Sequence, residues 1–222
     1  MSNFLMNPYA FGGVLPSARY LGNAFKTGAT THNLSVDFDT NGGDINLLII
    51  SMAGINRDVS SVIIDPSGAN VSCSKEAETN TGTDFDLLEI WKAVGYAGTG
   101  VKTVRVTLSG SGDVGVEAYA VYDLVSTTKT DSGFQGSVSA TSASCSLDVS
   151  AGGVIIAGIC KTGTSNISMT NVTEDTGGEQ QYSGTKRMTA GWASFPAGAT
   201  GQSVSASWTT ADNGRMAAVS YR

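Results

Sequence analysis

The chain has 222 residues, 41% of them apolar and only 14% charged, with a formal net charge of −6 at pH 7. The apolar share excludes a disordered chain, and the length allows a sizeable core within a single all-β domain. The acidic balance argues against nucleic-acid binding by the body, because phosphate contact needs clustered Lys and Arg.

With 28 Gly against 4 Pro, the sequence is built for many tight turns. No long segment keeps apolar residues at helical spacing, and the Ser, Thr, Val and Gly content disfavours helix. No apolar run reaches membrane-spanning length, and Phe4-Leu5-Met6 runs at once into Asn7-Pro8, too short for a secretory core.

Residues 1–33 differ from the rest. They carry Phe4, Tyr9, Phe11, Tyr20 and Phe25 without period-2 alternation, broken by Pro8, Gly12, Gly13, Pro16, Gly22 and Gly28. No acidic residue precedes Asp37, whereas Arg19 and Lys26 fall in this stretch. The pattern predicts an extended N-terminal attachment arm, with Phe4, Tyr9, Phe11 and Tyr20 as its contacts. It docks on its own sandwich, on a different protein or on a neighbouring subunit.

Residues 34–222 read as a succession of strands. Leu34–Phe38 alternates, Leu47–Ala53 is a continuous apolar run, and Val59–Ile64 stops at the turn Asp65-Pro66-Ser67-Gly68. Phe85–Val94 follows a polar loop at Ser74–Asp84. Val101–Leu108 points Val104, Val106 and Leu108 inward, and Ser109–Asp113 is predicted to make a hairpin into Val114–Leu124. The later strands are Ser144–Val149, Gly153–Lys161, Ile167–Val172, Met188–Phe195, Ser203–Thr209 and Arg215–Tyr221, with a long polar loop at Thr173–Arg187.

Two stretches share one skeleton. Asn46-Leu47-Leu48-Ile49-Ile50, Trp91, Ala97-Gly98-Thr99-Gly100 and Val104–Leu108 match Gly153-Val154-Ile155-Ile156-Ala157, Trp192, Ala197–Gly201 and Val204–Trp208. From Trp to the alternating strand is 13 residues in one half and 12 in the other; from that strand to the next is 14 in both. The reading is a jelly-roll-like two-sheet sandwich built from two related halves, approximately 34–125 and 137–222.

Candidate chemistry is sparse. The single His32 has no second histidine to form a nucleophile–base pair. Cys73, Cys145 and Cys160 are odd in number and lack metal spacing, so free buried thiols are expected. With Ala151-Gly152 at a hairpin centre, Cys145 would face Gly158. Asp37–Asp44 resembles a calcium loop but has Leu48 where an EF-hand needs its bidentate Glu. Asp84, Asp86 and Glu89 are carboxylates on an expected strand, read as a solvated edge rather than a glycosidase pair. Trp91 and Trp192 occupy matching positions and are read as packing residues. Tyr96 and Tyr182, in polar loops, are the candidate exposed ligand contacts. No catalytic residue, metal site or cofactor is assigned.

The run of an apolar strand, a Trp strand, Ala97-Gly98-Thr99-Gly100, the alternating Val104–Leu108 and Gly112-Asp113 into Ala118-Tyr119-Ala120-Val121-Tyr122 resembles the β-sandwich modules of tailed bacteriophages and gene transfer agents. The matching segments are Leu47–Ile50, Glu89–Val94, Ala97–Leu108, Gly112–Leu124 and Gly153–Tyr221; Met1–Tyr9 is similar to short attachment segments of virion proteins. The resemblance implies a non-enzymatic virion component, assembled in the host cytoplasm: a head decoration, head fibre, spike or tail-tip part. Its partners would be capsid, collar or tail proteins and further copies of itself, with no nucleic acid or membrane. A carbohydrate- or receptor-binding module for the host surface is the alternative.

Overall fold

The computed structural model describes residues 14–38, 43–53, 58–79, 87–175 and 177–222. Every regular element among them is a strand: β1 (Ser17–Phe38), β2 (Ile45–Ala53), β3 (Val59–Ile64), β4 (Val71–Ser72), β5 (Ser74–Glu78), β6 (Leu87–Val94) and β7 (Gly100–Tyr122) in the first half. The second half has β8 (Asp131–Val149), β9 (Gly153–Lys161), β10 (Ser168–Thr170), β11 (Thr173–Glu174), β12 (Gln180–Ser183), β13 (Lys186–Phe195) and β14 (Ala199–Tyr221).

Each half is one seven-stranded sheet. The first runs β4-β3-β7-β2-β6-β5, with β1 paired to β7; the second runs β10-β14-β9-β13-β11, with β8 paired to β14 and β12 to β13. All strand pairs are antiparallel. The expected two-sheet, two-half sandwich is therefore present, and its repeat is carried by topology: β1, β2, β3, β6 and β7 correspond to β8, β9, β10, β13 and β14.

The hairpin expected at Ser109–Asp113 does not form, and the separately expected strands Ser203–Thr209 and Arg215–Tyr221 are one strand. β7 and β14 run unbroken through these positions, because β1 and β8 accompany them along their whole length. The ribbons bend instead of reversing. At the first corner Ala29 pairs with Gly112 and Thr31 with Thr107; at the second Ala140 pairs with Asp212 and Ser142 with Ser207. In both, extra residues of the long strand bulge against a two-step stretch of its partner, and such bulges sharpen local bending. The bend folds each sheet over its own inner face, bringing β3 close to β6.

Residues 17–33 are likewise not an arm but the first limb of β1, paired from Ser17↔Tyr122 to Asn33↔Arg105. Their alternation is hidden because register slips at Tyr20/Gly22, Lys26/Ala29 and Ala29/Thr31. Gly22 and Gly28, at φ 130° and 72°, supply backbone angles that other residues avoid. Similarly, β8 does not hairpin onto β9: Cys145 pairs with Val204 and Gly158 with Ala190 and Ala217.

Folding over creates three apolar layers. Leu34, Val36, Leu48, Ile50, Val62, Val104, Val106 and Val116 fill the first half. Leu147, Ile155, Ile159, Val204, Trp208 and Met216 fill the second. Between them lies a seam of Leu47, Ile49, Leu88, Ile90, Tyr119 and Val121 against Val154, Ile156, Met188, Val219 and Tyr221. β2 and β9 are buried at every residue because alternate side chains enter different layers. Polar ties cross the rim of the seam, including Ser194 Oγ to Pro16 O (2.6 Å) and Gln180 Nε2 to Val116 O (3.2 Å).

The halves meet closely where Gly158 faces Ile49: a β-carbon there would lie 2.4 Å from Ile49 Cγ2. Replacing Gly158 with Ala should destabilise the protein by about 1–3 kcal/mol, as overpacked cores do. Urea denaturation reads this, and an unchanged midpoint would show that the halves do not press together at this point.

Candidate functional site

Of the expected contact residues, Phe4, Tyr9 and Phe11 lie outside the described residues. Tyr20 packs within its own half, its ring centroid 5.6 Å from that of Tyr119 on β7, and its hydroxyl donates to Gly177 O of the second half at 3.4 Å. Tyr96 and Tyr182 are not exposed loop contacts but core residues, at 2% and 1% exposure. The ring of Tyr96 packs edge-on to Phe38 at 5.0 Å and covers Gly98, where a β-carbon would strike its hydroxyl. Tyr182 sits in β12 against Gly115, whose missing β-carbon leaves room for it and for Met188.

Other sequence candidates resolve plainly. His32 is buried at the β1 corner, its Nε2 2.9 Å from Ala29 O. Trp91 and Trp192 are not equivalent: Trp91 packs into the first-half core, whereas Trp192 packs against the seam. Cys73, Cys145 and Cys160 are free thiols, and burial pushes Cys73 up to about 12 and Cys145 up to about 11. In the Asp37–Asp44 stretch residues 39–42 lie outside the described set, and Asp44 Oδ2 accepts the Leu124 amide at 2.8 Å. Asp84 and Asp86 also lie outside it, while Glu89 is fully buried.

Glu89 belongs to the first of two carboxylate groups. Asp58, Glu78 and Glu89 bring oxygens within 4.8 Å of one another. Lys75 takes the place of a cation among them, its Nζ 2.6 Å from Glu78, 2.7 Å from Glu89 and 3.2 Å from Asp58. Trp91 Nε1 donates to the other oxygen of Glu89. Burial pushes Glu89 up to about 8, and its hydrogen bond with Asp58 adds to the rise, against the pull of Lys75 and Trp91. Asp58 is correspondingly lowered, first by that same hydrogen bond. One ammonium and one retained proton thus offset two of the three acids. Beside them, between β5 and β8, a shallow cavity of about 290 Å³ is lined by Lys75, Glu76, Ala77, Glu78, Ser132 and Phe134.

The second group lies at the seam. Glu117 of β7 has no exposed surface, and among the described residues no side chain donates to its carboxylate, which the backbone of Ala190 faces. Burial raises it well above the usual carboxylate range, with Glu174, Asp175 and Glu179 adding to the rise. Glu174 ends β11, Asp175 follows it, and Glu179 immediately precedes β12. Thr189 Oγ1 donates to Glu174 Oε1 (2.9 Å), Tyr119 Oη to Asp175 Oδ2 (2.8 Å) and Arg187 Nη1 to Glu179 Oε1 (2.7 Å). Sequence reading missed this group, though a lone Glu inside Val114–Tyr122 and the acidic, Gly-containing Glu174–Glu179 were visible signals.

No protein-family model, no curated protein and no solved structure matches the chain.

Two expectations follow from this geometry. Glu89 holds its proton more tightly folded than unfolded, so the linked stability is present below the ordinary carboxyl range and lost as pH rises through about 8. One of the three indole N–H resonances, that of Trp91, should shift with a midpoint near 8 and stop titrating in Glu89→Gln; a Trp91 signal flat to pH 9.5 (an upper limit of about 1.5 units past the midpoint) would remove the proton from this site. Tyr182→Ala should cost about 3–5 kcal/mol of folding stability, as deletion of a buried aromatic does. Thermal melting checks it, and unaltered stability would return Tyr182 to the surface.

Proposed function

We propose that the chain is a structural subunit of a tailed-phage-type particle, assembled in the host cytoplasm. In this reading the sandwich is displayed outward and anchored to head, collar or tail by the residues ahead of β1. The observation that carries the reading is the tie at the seam's rim, where Ser194 Oγ holds Pro16 O at 2.6 Å. It fixes the point from which the aromatic stretch containing Phe4, Tyr9 and Phe11 is joined to the body. Further support comes from the sheets. Among the described residues β1 pairs only with β7 and β8 only with β14, which leaves each with one open edge, and Phe134 and Val138 on β8 are exposed. Long edges with outward apolar residues favour covering by further copies of the chain or by a neighbouring virion protein.

A second reading rests on the cavity between β5 and β8. Phe134, 59% exposed, stands there beside Glu76, Glu78 and Ser132, an aromatic face with polar neighbours suited to a host-surface sugar. Glycan-array binding that disappears in Phe134→Ala would move this reading ahead.

The anchor is tested by two deletions. Removal of residues 2–13 should leave a folded β-rich body that no longer joins particles in a co-assembly assay. Removal of residues 2–33 strips the first limb of β1 from β7 and should prevent folding of the first half. Full incorporation of the shorter deletion would defeat the anchor.

A further inference from the structure

The two halves treat their outermost strands differently. Both β1 and β8 have two limbs, one on either side of the corner bend. In β8 the first limb seals the second. Asp131 Oδ2 accepts the Asp148 amide at 2.8 Å, Gln135 Oε1 accepts the Ser144 amide, and a β-carbon on Gly133 would stand 2.7 Å from Ser146 O. These are the outward groups of the second limb. Ser203 O of β14 turns away from β8 to accept Asn171 Nδ2 at 2.9 Å, so its pair Ser146 points outward, and Ser144 and Asp148 follow by period two. An edge whose amides already have acceptors offers little to another strand.

In β1 the same positions are filled otherwise. Arg19, opposite Ala120, stands where Asp131 stands opposite Ser220; Ala24, opposite Val116, stands where Gln135 stands opposite Met216. Neither side chain carries an acceptor. Gly22 takes the place of Gly133, and a β-carbon there meets nothing within 4 Å. The direction of the second limb is set by Thr103 O, which accepts the Asp65 amide at 2.7 Å on the β3 side. Its pair Ser35 therefore turns its N–H and C=O away from β7, as do Asn33 and Asp37. Among the described residues no second strand pairs with this limb, and no side chain accepts from these three amides. Residues 31–38 hold neither the Lys nor the Pro that edges carry against pairing.

We propose that a second copy of the chain adds to this edge by two-fold antiparallel pairing centred on Ser35, which joins two first-half sheets into one. The register argues for this occupant. With Ser35 opposite Ser35, Asn33 of each copy lies opposite the partner's Asp37, so a side-chain amide meets a carboxylate twice and no acids oppose each other. Arg105, the pair of Asn33 on β7, sets a positive charge one strand behind that amide. Centring on Asp37 would put acid against acid. The inference rests on the reading that further copies cover the sheet edges, and goes beyond it by naming the edge, the register and the partner.

The test is sedimentation of the full chain over a concentration series, with mild oxidation of cysteine variants read on non-reducing denaturing gels. A monomer–dimer equilibrium is expected. Ser35→Cys should give a disulfide-linked dimer, because a hydrogen-bonded antiparallel pair sets its α-carbons about 5.5 Å apart, within disulfide reach. Ser146→Cys, at the twin position on β8, should give none, like the wild type with Cys73, Cys145 and Cys160. Ser35→Pro, which removes the central donor, and Asp37→Lys should each weaken the dimer at least about tenfold, or about 1.4 kcal/mol. Should Ser35→Pro fail to fold by circular dichroism, Asp37→Lys carries the comparison. A chain still monomeric at about 1 mM, a contact weaker than about 4 kcal/mol, would overturn the proposal. So would undiminished association in Asp37→Lys, or equal linking through Ser146→Cys. Association lost on removing residues 2–13, or seen only after it, would give the edge to that segment instead and overturn the proposal likewise. Because sedimentation needs no particle, a dimer that never joins particles defeats the virion reading alone, and a monomer that joins them defeats this inference alone.

Discussion

The structure depends on burying β2 and β9 on both faces. Each strand sends alternate residues into its own half and into the seam, so Leu48 and Ile50 serve the first-half core while Leu47 and Ile49 meet the second half. Neither half can present such a strand to water, because its outer face would be a continuous apolar patch. Association of the halves is therefore part of folding. The corner bends in β7 and β14 serve the same end, since only a sheet folded over its inner face leaves the other face free for its twin.

Polar chemistry is concentrated where this packing is incomplete. At the β5–β6 edge Lys75 gathers three acids and Trp91 closes on the innermost one, Glu89. At the seam Asp175 accepts from Tyr119 of β7, and the charges of Glu174, Asp175 and Glu179 add to the rise that burial gives Glu117. The two groups are handled differently: Lys75 reaches all three acids of the first, whereas the deepest acid of the second is held above the usual carboxylate range by burial.

Duplication shaped the scaffold more strictly than the chemistry. The corner bulges match between halves, yet the acids do not: Glu89 sits on β6 with no carboxylate on β13, and Glu117 pairs with Ile49 of β2 where the matching Ile156 of β9 pairs with Val219. Likewise Trp91 and Trp192 lie on corresponding strands but on opposite faces. Backbone geometry is constrained by pairing and register, whereas a side chain on one strand is free to diverge once its layer remains filled. A structural role for the chain agrees with this division, with any binding confined to the asymmetric rim.

The all-β class, the double-layer burial of Leu47–Ala53, the bounds of Val59–Ile64 and the two related halves were legible in the residues alone. These follow from local periodicity and turn chemistry, which one strand displays without its neighbours. Residues 17–33 escaped because bulges break period 2, and the Ser109–Asp113 stretch imitated a hairpin because Gly and Ser permit bends as readily as reversals. The burial of Tyr96 and Tyr182, the pairing of β8 with β14 and the complete burial of Glu117 came from the folded chain. Each of these depends on which distant strand lies opposite, and that is fixed by closure of the halves rather than by any residue's neighbours in the chain.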